Sequence, residues 1–243
     1  MKYAVIIPAR YRSKRFLGKP LIDLAGKSMI ERVWEKCVEA VEQENVFVAT
    51  DDARIEKHCN CFTDNVVFTS EDCLTGTDRV AEAARLLKLD YAINVQGDEP
   101  LVDPADIQKV KNEFEKNDCC VVNAKCPISS ESEFRSLTIP KVVTSPSGRL
   151  LYISRAPIPG NKSGEFCWGY KQVCIYAYSN KALQKFASAK QKSSLEREED
   201  IEIIRFLEMG FHVQMVDVAD GPVAVDTPSD AKKVTKILHA RHS

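Results

Sequence analysis

The sequence predicts an α/β fold, a mostly parallel twisted sheet with helices packed on both faces. Two observations predict it. Short unbroken apolar runs alternate with amphipathic helical stretches through the first half, as strands buried on both faces and their crossover helices require. The polar, motif-bearing segments all follow the ends of those runs, where ligands collect in such sheets.

Lys2–Pro8 opens the chain as a buried strand. Met29–Val41 is helical, with an apolar face at Ile30, Val33, Trp34, Cys37, Val38 and Val41. Val46–Ala49 is the second strand, and Thr50-Asp51-Asp52 caps a helix from Ala53 to Cys59. Val66–Thr69 is a third strand, Thr77–Leu87 a helix and Ala92–Val95 a fourth strand. Asp103 caps a helix to Glu115, with Pro104 in its first turn, where a missing N–H costs nothing.

The second half is less regular. Cys120–Cys126 and Pro140–Ile153 are extended, the latter broken by the turn at Ser145–Arg149, and Gly160–Glu165 is a loop. Val173–Tyr178 is a strand, Leu195–Met209 one acidic-faced helix and Val213–Val218 a last strand. Asp226-Thr227-Pro228 caps a final helix through Leu238. No repeat or interdomain linker interrupts the 243 residues, so they read as one domain.

Charge narrows the partners. Lys+Arg 34 against Asp+Glu 35 leaves a net charge of −1, so no global field draws the protein to nucleic acid or a membrane. The first apolar run, Ala4–Ile7, is too short for a signal peptide, and no stretch has the length of a membrane span, which points to the cytoplasm. The nine cysteines lack metal-ligand spacing: Cys59/Cys61 and Cys119/Cys120 are the only close pairs, so reduced thiols fit best. His58, His212, His239 and His242 fit no ligand or triad spacing.

Against that neutral balance the loop after the first strand stands out. Arg10, Arg12, Lys14, Arg15 and Lys19 put five cations into ten residues, and Gly18 and Gly26 suggest close backbone approach. Cations and free N–H groups together suit a polyphosphate, although the loop has neither a Walker GK[ST] ending nor GxGxxG. A solvated charged loop is the alternative. In "NVQGDEP" (Asn94–Pro100), Asp98 falls just past a strand end, placed to hold Mg²⁺, or else to form a simple β-turn. Asp226 is either a second carboxylate for that ion or merely a helix cap. "LTGTDR" (Leu74–Arg79) offers small residues to a base or ribose, or is an ordinary helix start.

These segments together resemble the CMP-Kdo synthetases, the cytidylyltransferases that activate 3-deoxy-manno-octulosonate (Kdo). The likeness runs in order through "VIIPARYRSKRFLGKPLIDLAGKSMI", "VATDDARI", "LTGTDRVAEA", "INVQGDEPLVDP", "PKVV", "LYISRAPIP", "QVCIYAY" and "VDTPSDAKKV". It implies a Rossmann-like nucleotidyltransferase using CTP, Mg²⁺ and an acidic sugar, and a homodimer built largely through the second half. The implied division is a nucleotide-binding core over residues 1–127, a sugar-binding and dimerisation part over 128–212, and a return to the core over 213–243.

Residue by residue, the resemblance assigns Arg10, Arg15 and Lys19 to the triphosphate and the leaving pyrophosphate. It gives Ala9, Thr75 and Gly76 to the cytosine and ribose, and Gln96 to the ribose or sugar. Asp98 and Asp226 would hold Mg²⁺, while Arg155, Gln172, Tyr176, Glu202 and Arg205 would meet the sugar. The chain departs from the family pattern at four places. Leu17 replaces a proline and Thr75 a serine, and on the sugar side Gln172 replaces a histidine and Ile203 a glutamine. Swapping those donors redirects hydroxyl recognition, so a related nonulosonic acid or a phosphonate stays open as the acceptor. Trp168 fits either a sugar wall or a dimer contact. A nucleotide-sugar glycosyltransferase and a non-catalytic nucleotide-binding protein are the rival classes.

Overall fold

In a computed structural model that describes residues 1–12, 16–117, 120–219, 221 and 223–241, the first strand, β1 (Tyr3–Ala9), is buried on both faces. Arg15, Lys14, Cys119 and His242 fall outside the described residues. Val5 and Ile7 point to one side of the sheet and Ala4 and Ile6 to the other, all four fully buried. That is why the strand reads as an unbroken apolar run rather than an alternation.

The chain continues through a two-strand hairpin, β2 (Asp23–Leu24) and β3 (Lys27–Ser28), into helix α1 (Met29–Ala40). Ser28 caps α1 by accepting a hydrogen bond from the Glu31 N–H at 3.2 Å. β4 (Val46–Thr50), α2 (Ala53–Cys59), β5 (Val66–Phe68), α3 (Gly76–Leu86), β6 (Tyr91–Val95) and α4 (Pro104–Lys116) follow in the predicted order. Asp103 caps α4, accepting from the Ala105 N–H at 2.9 Å. Then come β7 (Val121–Pro127), α5 (Glu131–Arg135), the hairpin β8 (Lys141–Thr144) and β9 (Leu150–Ser154), and β10 (Tyr170–Ser179). Helices α6 (Asn180–Ala187), α7 (Ser194–Glu199) and α8 (Ile203–Glu208), strand β11 (Val213–Asp217) and helix α9 (Pro228–Arg241) complete it.

Among the described residues the main sheet runs β11-β7-β10-β6-β1-β4-β5. Neighbours are parallel except around β10, which is antiparallel to both β6 and β7. The sheet is therefore mostly parallel but mixed: β10, third along this path, is reversed, and β8 and β9 join the same sheet off the path through antiparallel pairs β8–β10 and β8–β9. Helices α1 and α4 cover one face through Ile30, Val33, Ile107 and Val110; α3, α6 and α8 cover the other through Val80, Leu183, Phe186 and Phe206. Each such fully buried side chain contributes about 1.5–3 kcal/mol. β11 returns the chain to the far edge of the same sheet, so one sheet runs through all three predicted segments.

Two second-half expectations change. The sequence predicts one helix over Leu195–Met209, but α7 stops at Glu199 and α8 starts at Ile203. Asp200 adopts a left-handed backbone (φ +51°), and the Arg155 guanidinium takes the carbonyls of Glu199 (2.5 Å) and Asp200 (3.0 Å) that a continuous helix would use. Helices α5 and α6 have no counterpart among the predicted elements; for α6 the omission is the larger. Its signal was present in Ser179, which accepts from the Ala182 N–H, and in the spacing of Ala182, Leu183 and Phe186.

Candidate active site

The carboxyl ends of β1 and β6 and the amino end of α3 frame a cleft of about 150 Å³. Ala9 and Arg10 leave β1 into its wall, with Arg10 exposed to solvent. Lys19 and Pro20, on a single 3-10 turn (Lys19–Leu21), close the near side. Gly26, expected near a ligand, instead takes φ +85° in the β2–β3 turn with open space around it. Gly97 is the glycine that close approach demands: a Cβ there would lie 2.9 Å from the Pro8 carbonyl oxygen. Gly97→Ala should thus push the β6 end away from β1 and lower affinity for CTP, the nucleotide the resemblance implies, at least about tenfold; isothermal titration reads it, and unchanged affinity would contradict the tight fit.

Across the cleft, Thr75 caps α3, accepting from the Asp78 N–H at 3.2 Å and donating to its carboxylate at 2.7 Å. Glu202 arrives from the α7–α8 break and accepts from the Gly76 N–H at 3.2 Å and the Thr77 N–H at 2.8 Å. A carboxylate on those N-terminal amides is favoured by the helix dipole. The break at Asp200 is what lets Glu202 reach α3, so the mispredicted helix and the site are one feature. Arg79 also lines the cleft and was missed. It is 4% exposed and fixed by Asp51 at 3.1 Å and by Thr69. Its signal was the conjunction of an arginine in "LTGTDR" with "TDD" at the next strand end.

At the mouth, residues remote in sequence converge. The Lys19 ammonium lies 2.8 Å from Asp98 and 3.4 Å from Asp226. Asp226 is held there by its neighbour, since the Val225 N–H donates to the Asp98 carbonyl at 2.9 Å. Val225, Val234 and Leu238 in turn pack on Leu24 and Met29. The helix cap is Thr227, which accepts from the Asp230 N–H at 3.3 Å, and this leaves the Asp226 carboxylate to Lys19. Behind them Glu99 is buried, and burial, then Asp98, push its carboxyl well above the ordinary carboxylate range. Burial likewise pushes the Cys73 thiol in the cleft wall up to about 12, which keeps it un-ionised at neutral pH.

Several residues expected at the sugar lie elsewhere. Arg205 is fully buried, paired with Glu196 through two 2.6 Å contacts and with Asp78 at 3.1 Å, and does not reach the cleft. Arg155 is spent on backbone carbonyls, those of Leu137 and Thr138 as well as Glu199 and Asp200. Ile203 opens α8 and is buried in the core. Tyr176 is nearly buried, stacked on Tyr178 at 5.6 Å, on the same sheet face as Thr77's helix. Gln172 donates to Asn123 at 3.0 Å rather than opening into the cleft. Gln96 lines it, its amide 3.4 Å from where a Gly76 Cβ would stand. The position of Arg15 lies outside the described residues.

Chemically the cleft joins the cations Arg10, Lys19 and Arg79, N-terminal amides and a carboxylate pair. Among the described residues no group of three or more His, Cys, Asp or Glu could hold a metal ion. Two hard oxygen donors converging on one ammonium do suit a cation such as Mg²⁺, whose remaining positions water and phosphate complete. The eight cysteines described are free thiols.

Comparison with known proteins places these residues in context. The family described as cytidylyltransferase matches residues 4–216. A 3-deoxy-manno-octulosonate cytidylyltransferase of Geobacter sulfurreducens is 39% identical over 250 residues, covering 98% of this chain and all of the relative. One from Escherichia coli is 35% identical, covering 98% of this chain and 96% of its own. A solved CMP:2-keto-3-deoxy-manno-octonic acid synthetase complexed with CTP superposes with a TM-score of 0.92 at 34% identity, covering 99% and 100% of the two chains. A glucose-1-phosphate thymidylyltransferase of Bacillus anthracis shares the fold, with a TM-score of 0.67 at 14% identity.

Proposed function

Since the chain belongs to the cytidylyltransferase family, we propose that it transfers CMP from CTP to Kdo, or a close analogue, and releases pyrophosphate. The observation that carries this reading is the meeting of Lys19, Asp98 and Asp226 at the mouth of a cleft lined by Arg10, Thr75, Gly76 and Gln96. Membership of the family takes the place of the glycosyltransferase and non-catalytic readings.

The anomeric hydroxyl of the sugar attacks the α-phosphorus in line. A sugar oxygen–phosphorus bond forms, the bridging bond to the β-phosphate breaks, and its electron pair leaves on pyrophosphate while the hydroxyl proton passes to solvent. Such chemistry needs positioning and charge neutralisation more than a covalent nucleophile. Arg10, Arg15 and Lys19 bind the triphosphate, and Ala9, Thr75 and Gly76 receive cytosine and ribose. Gln96 and Glu202, which line the cleft, face the acceptor. Asp98 and Asp226 would hold Mg²⁺, which when bound neutralises the α-phosphate and acidifies the hydroxyl.

A homodimer through residues 128–212 is part of the proposal, supported by the exposure there of Leu137 (67%), Leu151 (56%) and Trp168 (58%). Among the described residues no helix is long and apolar enough to cross a membrane, and dependence on CTP favours the cytoplasm. The test is a panel of 2-keto-3-deoxy acids mixed with CTP and Mg²⁺, with pyrophosphate read by coupled phosphatase. Kdo should give the largest kcat/KM. A nine-carbon acid or a phosphonate outperforming it would move the acceptor, and no pyrophosphate with any acid would end the proposal.

A further inference from the structure

β10 carries an irregularity directly behind the cleft. Val173 pairs with Ala124 and Tyr176 with Asn123, so three steps along β10 match one along β7. Cys174 and Ile175 form a bulge, where carbonyls in and beside it draw a donor from outside the ladder. Asn123, fully buried on β7, supplies them: its Nδ2 donates to Val173 O and to Ile175 O, both at 2.9 Å. Its Oδ1 accepts from Gln172 Nε2 at 3.0 Å. On the other side of the bulge the Cys174 carbonyl accepts the Gln96 N–H at 3.3 Å.

Every polar group of one buried amide is thus spent on shaping β10. Two residues hang from the result, Gln96 in the cleft lining and Gln172 outside it. Gln96 takes its backbone anchor from the bulge, and its side chain lies against Gly76 in the cleft. Gln172, which replaces the family's histidine, has its amide turned by Asn123. Asn123 and Tyr176 stand opposite one another in the ladder.

Resting on cytidylyl transfer as the reaction, we propose that Asn123 is a positioning residue for the acceptor side of the cleft. It touches neither nucleotide nor sugar, and acts by holding the bulge that sets Gln96 and by orienting Gln172.

Two readouts test it on the full-length enzyme. Hydrogen exchange of the Gln96 amide needs no sugar; in Asn123→Leu it should quicken by about tenfold or more while β1 and β4 amides keep their protection. In steady-state kinetics the same variant should raise the KM for the acid sugar roughly tenfold with the KM for CTP within about twofold, a split that general destabilisation does not produce. Gln172→Met should raise the sugar KM alone, and combining the two should cost no more than the worse single change. If Asn123→Leu does not fold, Asn123→Thr, whose hydroxyl can serve one of the two carbonyls, is read the same way with smaller changes. Unaltered Gln96 exchange, equal rises in both KM values, or strictly additive effects would overturn the proposal. Should the unmodified enzyme release no pyrophosphate with any acid, the functional reading fails and the exchange result alone decides the role of Asn123.

Discussion

Lys19→Ala is expected to cut turnover by more than about tenfold while leaving the sheet intact, if, as proposed, its ammonium stabilises charge on the departing pyrophosphate. The side chain sits at the cleft mouth and packs no core, so circular dichroism of the variant should match the parent. A second effect follows from the geometry. Asp98 and Asp226 share the ammonium at 2.8 and 3.4 Å. Without it two carboxylates repel across a small gap, and the variant should lean on added cation for stability. Mg²⁺ titrated without nucleotide should raise its melting temperature more than it raises the parent's. Unchanged kcat would remove Lys19 from the chemistry; an equal response to Mg²⁺ would show that the carboxylates do not rely on it.

Arg205→Met should act on stability rather than on sugar binding. The guanidinium is fully buried, gripped by Glu196 and Asp78 and stacked over Phe186 at 3.7 Å. Removing one member of a buried ion pair leaves uncompensated charge and typically costs about 3–5 kcal/mol. In a chain of this length that lowers the melting temperature by roughly 10 °C. Adding Glu196→Gln should recover part of the loss, since no unpaired carboxylate then remains between α7 and α8. The decisive comparison is the KM for the acid sugar in the folded fraction. A large rise at unchanged melting temperature would return Arg205 to the binding site.

Arg205 and Arg155 mark where sequence reasoning stopped. Both fall in segments resembling a sugar-binding family, and an arginine in such a segment reads as a ligand. What decides otherwise is non-local: Asp78 lies on another helix, and the carbonyls of Leu137 and Thr138 follow α5. No spacing rule exposes a partner that the fold delivers. The break at Asp200 was hidden for the same reason, since the acidic run around it favours helix until Arg155 claims its last carbonyls. The first half was legible because strands buried on both faces leave unmistakable apolar runs, and chemistry-bearing residues follow their ends. Asp98 and Asp226 could be suspected from those positions, whereas their convergence on Lys19 needed the third dimension.

The small cluster of Leu24, Met29, Val225, Val234 and Leu238 has a bearing on heat. It seats Asp226 yet stands apart from the two large cores on either side of the sheet. Thin packing of this kind opens at lower cost than the strands beneath it. On warming, activity is therefore expected to fade before the sheet melts and to return on cooling, which activity and circular dichroism followed through one heating and cooling cycle would check.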